Sequence, residues 1–165
     1  MECTYNFNVE DLVSDIRKEV EVRASTITDT DGGAYQRMSI TERTLPLIVQ
    51  YISEAFRKAV AMCGKRYNVS LDDENPDASI GITLDIATNI NTDTIDVAFK
   101  NLRDYAMYTA IARWYANTST ASADVELLNS KAAESYAAFA RLLARRTPPT
   151  RTVPETLERK ATNFE

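Results

Sequence analysis

Residues 79–90 read SIGITLDIATNI and lead directly into a helical run, residues 93–117, that carries Trp114 and Tyr115 near its end. A second helical run, residues 124–145, follows a short polar link and closes on Arg-Arg-Thr-Pro-Pro. The first stretch alternates apolar and polar residues, whereas the two runs repeat apolar residues every three or four positions. This order of strand, helix, helix and proline-containing tail decides the predicted fold class.

Two more amphipathic helices are predicted in the first half of the chain. The first covers residues 9–23, with Asn8 as its cap and apolar residues at spacings of three and four. The second carries an apolar stripe that runs from residue 47 to Cys63, and Gly64 ends it.

The start of the second helix lies between Ser39 and Thr44. Ser39 and Glu42 have the spacing of a capping box, which predicts a helix start at this point. Proline fits the first turn of a helix but not its interior, so the helix either starts near Thr44 or kinks at Pro46.

Residues 67–86 predict a β-hairpin. Two stretches of period two, 67–72 and 80–86, flank the acidic turn DDENPDA. A lone two-stranded hairpin is marginal in water, so we expect it to pack on helices or to pair with another chain. The acids of the turn lack the ligand order of a calcium loop, which favours a solvated turn over a metal site. They are Asp72, Asp73, Glu74 and Asp77.

The last two helices are expected to form an antiparallel hairpin. The third, capped by Asn91 or Thr92, is apolar over so much of its circumference that we expect it to contact more than one neighbour. Ser122 is the predicted cap of the fourth helix, after the short polar link 118–122.

The predicted fold class is therefore mainly α: a four-helix domain, residues 1–145, with a small β-hairpin and an extended C-terminal arm, residues 146–165. The length of 165 residues suits one domain with one core. We expect no membrane span, because charged residues interrupt every helical run. The N-terminus lacks the basic start and apolar block of a signal peptide, which makes the cytoplasm the default setting.

Charge and composition narrow the chemistry. The chain has a net charge of −5 and no histidine. The missing histidine excludes His-dependent triads and most zinc and iron sites, and no catalytic motif or cofactor site is predicted. The acidic balance also argues against tight, sequence-independent binding to DNA. A carboxylate-dependent enzyme stays open as an alternative to a protein without enzymatic activity, and its candidate acids are Asp85, Asp93, Asp96 and Asp104.

The two cysteines, Cys3 and Cys63, match no disulfide or metal framework. Cys63 lies on an apolar helical stripe, so we expect it to be a small core residue and not a reactive thiol.

The C-terminal segment differs in composition from the rest of the chain. It is rich in proline and arginine and poor in apolar residues, so it is either a disordered tail or an arm that lies on a neighbouring subunit. An arm would use a basic collar at its root and apolar anchors beyond it. The predicted interface residues are Arg141, Arg145, Arg146, Arg151, Val153, Leu157 and Phe164.

The order of these elements resembles a known family. An amphipathic helix, a glycine-containing loop, a helix ending near Gly64, the strand ITLDI, a long helix ending in ARWYA and a helix running to LLARRTPP are together similar to head-to-tail connector proteins of tailed bacteriophages. These are neck or adaptor proteins, and the likeness is greatest to those of phages of Bacteroides-like hosts, including crAss-like phages. Residues 79–149 carry most of the resemblance.

The resemblance implies a structural protein of the virion neck. Such proteins form homo-oligomeric rings, commonly of twelve subunits, that bind the portal protein and other neck or tail proteins. The ring surrounds the channel through which the genomic DNA passes, without sequence-specific binding and without a cofactor or a membrane. If the hairpin points inward, the acids Asp72, Asp73, Glu74 and Asp77 are candidates to line that channel.

A second class of function also fits the residues. A small acidic helical protein could bind or regulate a host or phage partner, and it would then be a monomer or dimer with a dispensable tail. The oligomeric state distinguishes this hypothesis from a ring protein.

Overall fold

The computed structural model describes residues 2–26, 38–63, 67, 69–72, 74–76, 78–86, 90–118 and 122–144. In chain order they form β1 (Glu2–Asn8), α1 (Val9–Thr26), α2 (Leu45–Cys63), β2 (Ser70–Asp72), β3 (Ser79–Asp85), α3 (Thr92–Thr118) and α4 (Ser122–Ala144). Four helices and a small antiparallel sheet confirm the predicted mainly α class. The expected arm, residues 146–165, lies outside the described residues.

The sheet has three strands, one more than the predicted hairpin. β1, which was not predicted from the sequence, pairs antiparallel with β3, from Glu2 opposite Asp85 to Asn8 opposite Ser79. β2 pairs with the other side of β3, so the strand order is β1-β3-β2. The hairpin therefore pairs with a third strand of the same chain, and it also packs on the helices.

One face of the sheet packs on the helices through an aromatic cluster. The ring of Phe7 in β1, which is 2% exposed, lies 4.6 Å from the ring of Phe56 in α2. Tyr5 stacks on Phe99 of α3 with ring centroids 4.8 Å apart. Residues from three distant parts of the chain thus meet in one cluster, which is part of a single continuous core.

α3 is the central helix of the fold. It packs along α4 over much of their length and also contacts α1 and α2. Its buried residues lie on several sides, as the broad apolar circumference predicted: they are Ile95, Ala98, Phe99, Leu102, Tyr105, Ala106, Ala110, Ile111, Ala112, Trp114 and Tyr115. The α4 face toward α3 also follows the prediction, since Leu128, Ala132, Phe139 and Leu143 are buried.

Two of the predicted caps are present. The side-chain Oδ1 of Asn8 accepts the amides of Glu10 at 2.9 Å and of Asp11 at 3.3 Å, at the start of α1. At the start of α3 the Oδ1 of Asn91 accepts the amide of Asp93 at 3.1 Å, so Asn91 and not Thr92 is the cap.

The start of α2 corrects one prediction. The helix begins at Leu45, so Pro46 lies in its first turn, where a proline has no amide to lose. The predicted capping box of Ser39 and Glu42 is wrong, because both residues precede the helix. Instead, the Glu42 carboxylate accepts a hydrogen bond from Arg17 of α1 at 2.9 Å.

A turn between Thr41 and Thr44 replaces the predicted box. The amide of Thr41 donates to the Thr44 hydroxyl at 2.9 Å, and the amide of Thr44 donates to the Thr41 carbonyl at 3.0 Å. These bonds close the turn that leads into α2.

Polar side chains tie α3 to its neighbours. The indole N–H of Trp114 donates to the carbonyl of Met38 at 2.9 Å. The guanidinium of Arg113 pairs with Glu54 of α2 and lies 4.8 Å from the centre of the Tyr51 ring. These contacts hold the C-terminal half of α3 against α2 and the segment before it.

An ion pair between Arg103 and Asp15 joins α3 to α1. The hydrogen bond from Arg103, with a further contribution from Lys18, holds the pKa of the Asp15 carboxyl below its usual value. Burial raises the pKa of Asp104, the residue beside Arg103, although Arg103 and Lys100 oppose that shift. Two carboxyls near one arginine therefore have opposite effects on stability at neutral pH.

We predict that Phe7→Ala lowers the free energy of unfolding by about 3–5 kcal/mol, because it removes a buried ring from the cluster between β1 and the helices. The matched change Tyr5→Ala should cost only about 1–2 kcal/mol, because that ring is already 36% exposed. Urea unfolding followed by the fluorescence of Trp114, the single tryptophan, measures both values. Equal losses would show that β1 is not anchored through Phe7.

The two carboxyls near Arg103 give a prediction about pH. Asp15 has a lowered folded pKa, so its carboxylate stabilises the fold at pH 7 and loses that contribution as the pH falls through the folded pKa. Asp104 has a raised folded pKa, so its carboxylate is unfavourable at pH 7 and this cost disappears on acidification. Asp15→Asn should lower the urea midpoint at pH 7, and Asp104→Asn should raise it.

Both differences from the wild type should shrink as the pH approaches about 3, below the ordinary pKa of aspartate. Shifts of the same sign for the two variants at pH 7 would contradict the assignment.

Candidate interaction surfaces

The outer face of the sheet is polar throughout. Side chains alternate between the two faces of a strand, so the even-numbered residues of β1 and the odd-numbered residues of β3 point away from the helices. Together with the outward residues of β2 they are Glu2, Thr4, Asn6, Asn8, Ser70, Asp72, Ser79, Gly81, Thr83 and Asp85. None of these positions is apolar, lysine or arginine, so the face is a hydrophilic and acidic surface.

Gly81 occupies the centre of this outer face. A Cβ at Gly81 would lie 2.9 Å from the Oδ1 of Asn6 and 3.3 Å from the Cβ of Asp72. The glycine thus leaves room for the side chains of the two flanking strands above the middle strand. Beside it, the hydroxyls of Thr4 and Thr83 are 2.9 Å apart and link β1 to β3.

At one end of the outer face two carboxylates lie on neighbouring strands. Glu2 is directly opposite Asp85, an arrangement of like charges that destabilises a sheet. Both line a concavity of about 420 Å³ with Val69, Ser70 and Thr83. From the sequence, Asp85 was predicted only as an enzyme candidate, and Glu2 was not a candidate because the strand that carries it was not predicted.

At the opposite end of the sheet is the predicted acidic turn. Asp72 and Glu74 are exposed, as predicted, and the Oδ1 of Asp72 accepts the amide of Glu74 at 3.4 Å. Asp73 and Asp77, the other two candidates for the channel lining, lie outside the described residues.

The first turn of α1 adds two acidic residues to the end of the sheet where the acidic turn lies. The amide of Val9 donates to the carbonyl of Ala78 at 3.1 Å, which fixes the start of α1 beside the turn. The exposed Glu10 and Asp11 follow directly. We call Glu10, Asp11, Asp72 and Glu74 the acidic end; its two α1 residues could have been found only from the pairing of β1.

The predicted interface residues fall mostly outside the described part of the chain. Arg141 is exposed in the last turn of α4, and its Nε donates to the carbonyl of Ala137 at 3.3 Å. With Ala138, Leu142 and Ala144 it lines a shallow concavity of about 530 Å³. The remaining predicted residues are outside the described ranges: Arg145, Arg146, Arg151, Val153, Leu157 and Phe164.

Another concavity, of about 630 Å³, lies between α1 and the start of α2. Its floor includes Val13 and Val49, and its rim includes the pair formed by Arg17 and Glu42. Its lining combines the carboxylates of Glu10, Glu21 and Glu42 with the basic side chains of Arg17 and Lys18, so charge alone does not select a ligand of either sign.

The candidate acids of the alternative enzyme hypothesis do not form one group. Asp93 and Asp104 lie eleven residues apart on α3, a separation of roughly 16 Å along a helix. Asp96 is exposed on the same helix, and Asp85 ends β3. Within the described ranges no three His, Cys, Asp or Glu side chains are placed to hold a metal ion.

Several other groups with shifted pKa values are buried or partly buried. Burial raises the pKa of Tyr115 to about 12, and its hydroxyl has no hydrogen-bond partner within the described structure. Tyr136 donates to the Sγ of Cys63 at 3.7 Å, and burial raises the pKa of both groups. Cys63 is partly buried and packs against the core.

No family model, curated protein or solved structure matches this chain. None of the helices in the described ranges is both long enough and apolar enough to cross a membrane.

We predict that Glu2→Gln raises the free energy of unfolding by roughly 0.5 kcal/mol or less, because it removes one of two like charges that face each other across the strands. The gain should be largest at low ionic strength and nearly absent at about 1 M salt, where the Debye length is about 3 Å. Glu126→Gln, at an exposed position of α4, is the control and should change little. A loss of stability in Glu2→Gln would show that this carboxylate has a favourable partner.

Proposed function

We propose that this chain is a structural subunit of the head-to-tail connector of a tailed bacteriophage, where copies form a ring around the DNA channel and bind the portal and neighbouring neck proteins. The ring commonly has twelve subunits in the connector proteins that the sequence resembles. In this proposal the protein has no catalytic role and is located in the neck of the virion.

The element order of the fold supports this proposal. The motif ITLDI, residues 82–86, begins in β3, and ARWYA, residues 112–116, lies near the end of α3. The residues LLA of LLARRTPP end α4. The motifs that carry the resemblance therefore fall on a strand and a pair of adjacent antiparallel helices, in the order that the resemblance implies.

The observation that carries the proposal is the acidic end. Its four carboxylates come from the first turn of α1, the end of β2 and the turn after β2. All four side chains are exposed, and the group includes no basic residue. A channel that passes DNA needs a surface that does not retain phosphates, since Lys and Arg contacts would bind the backbone strongly. Repeated around a ring, the acidic end would form a band of negative charge that repels the DNA.

The architecture adds support of a second kind. α3 and α4 give the subunit a long, rigid core, while exposed apolar side chains occur on several elements: Val22, Leu47, Met62, Val97 and Leu127. A head-to-tail ring requires two different contact surfaces on each subunit, one for each neighbour. Apolar side chains on separate helices can contribute to both.

We expect the purified chain of 165 residues to form a large closed oligomer whose mass, measured by light scattering, does not change with concentration. Removal of residues 146–165 should reduce or abolish that oligomer if the C-terminal segment acts as an arm. Electron microscopy of the assembled ring should place the β2–β3 turn on the inner wall.

A chain that stays monomeric or dimeric at all concentrations, alone and with a cognate portal, would contradict the ring. It would favour the small acidic binding protein instead. A ring with the turn on its outer wall would contradict only the assignment of Asp72 and Glu74 to the channel. Far-ultraviolet circular dichroism of the truncated chain is the control for folding.

A further inference from the structure

The outer edge of β1 carries unpaired backbone groups. In an antiparallel pair, residues alternate between those that bond to the partner strand and those whose N–H and C=O groups point away. The bond from Val9 to Ala78 continues the β1–β3 register, so the odd-numbered residues of β1 bond to β3. The backbone groups of Thr4 and Asn6 therefore point outward.

No described element covers this edge. Within the described residues, β1 pairs with β3 alone, and the side chains of Thr4 and Asn6 are exposed. Natural edge strands are usually protected by proline, lysine, a bulge or short length. β1 has seven residues, ECTYNFN, with none of these features and one charge at its end. Such an edge is a template for pairing with another strand.

We propose that β1 pairs antiparallel with β1 of a second copy of this chain, about a two-fold axis at Tyr5, to form a continuous six-stranded sheet. A second copy fits because the side chains of β1 complement one another when the two strands are centred on Tyr5. A residue whose backbone N–H and C=O point outward must face a residue of the same kind on the other strand. Among the registers that meet this condition, the one with Tyr5 opposite Tyr5 pairs all seven residues of β1. A shift by two residues in either direction leaves two residues of each strand unpaired.

The side chains fit this register. Thr4 of one copy lies opposite Asn6 of the other, and the two exchange both backbone hydrogen bonds. Glu2 lies opposite Asn8, so no like charges face each other across the new pair. The two Tyr5 rings, each 36% exposed in the single chain, become a cross-strand aromatic pair on the face that packs on Phe99.

This contact is independent of the proposed ring. A two-fold contact uses the same surface on both copies and closes on itself, so it cannot build a cyclic ring alone. It joins two free subunits, or two rings face to face, and in both cases it doubles the mass of the assembly.

The first test is Asn6→Pro, with Asn6→Ser as its matched control. Proline removes the outward N–H of residue 6, which has no partner within the described chain. An edge strand tolerates proline at such a position, whereas a central strand does not. We expect light scattering to show that Asn6→Pro has half the mass of the wild type, and that Asn6→Ser has the wild-type mass. Circular dichroism confirms that both variants are folded.

The second test is a disulfide and does not depend on the fold tolerating proline. In chains with Cys3→Ala and Cys63→Ala, Tyr5→Cys places two cysteines in a directly opposed, non-hydrogen-bonded pair, with Cα atoms about 4.5 Å apart. We expect rapid oxidation to a covalent dimer. Thr4→Cys is the control, because residue 4 faces residue 6 and its two copies lie beyond the roughly 7 Å that a disulfide spans.

The outcomes separate this inference from the ring. A ring whose mass is unchanged in a folded Asn6→Pro variant, with Tyr5→Cys oxidising no faster than Thr4→Cys, overturns the β1 contact and leaves the ring intact. A dimer that becomes a monomer in Asn6→Pro, with rapid cross-linking through Tyr5→Cys, supports the β1 contact and contradicts the ring. A monomeric wild type that does not cross-link overturns the β1 contact.

Discussion

The pairing of β1 with β3 is the constraint on which much of the rest of the structure depends. It joins the N-terminus of the chain to a strand more than seventy residues later and sets the point at which α1 starts, through the bond from Val9 to Ala78. It also directs Phe7 toward Phe56 and Phe99, so that the sheet and two helices share one aromatic cluster. Without this pairing the hairpin would keep one edge of β3 open and lose the apolar contacts of β1 on the helices.

The helices could be predicted from local sequence because their signals are local. The three- and four-residue spacing of apolar side chains gave the positions of the four helices in the described residues. Asn8, and the choice between Asn91 and Thr92, gave two helix starts, since a cap bonds within two or three residues of itself. The capping box of Ser39 and Glu42 failed because its spacing also occurs by chance. The carboxylate of Glu42 instead bonds to Arg17, a residue of another helix that no local pattern relates to it.

β1 itself was missed for a different reason. Cys3, Tyr5 and Phe7 alternate with polar residues, so the period-two signal was present. It is short, however, and its partner strand lies far along the chain, so the strand becomes evident only once the register with β3 is known. The same pairing of β1 with β3 determines which acidic residues share a surface. Glu2, Glu10 and Asp11 join acids of the hairpin region only because β1 brings the two segments together, whereas Asp72 and Glu74 were recognisable as an exposed acidic turn from their own sequence.

The sheet has three kinds of surface, and the geometry of its strands determines where each one lies. One face is apolar and packs on the helices, the other is hydrophilic because every outward position is polar or glycine, and the outer edge of β1 exposes backbone groups. Side-chain charge governs the second surface, whose carboxylates repel phosphates and other acidic surfaces over a Debye length. Backbone hydrogen bonding governs the edge and does not depend on charge. In the proposed connector, Asp72 belongs to a surface that repels DNA and Asn6 to an edge that pairs with protein, so substitutions at these two residues change different properties.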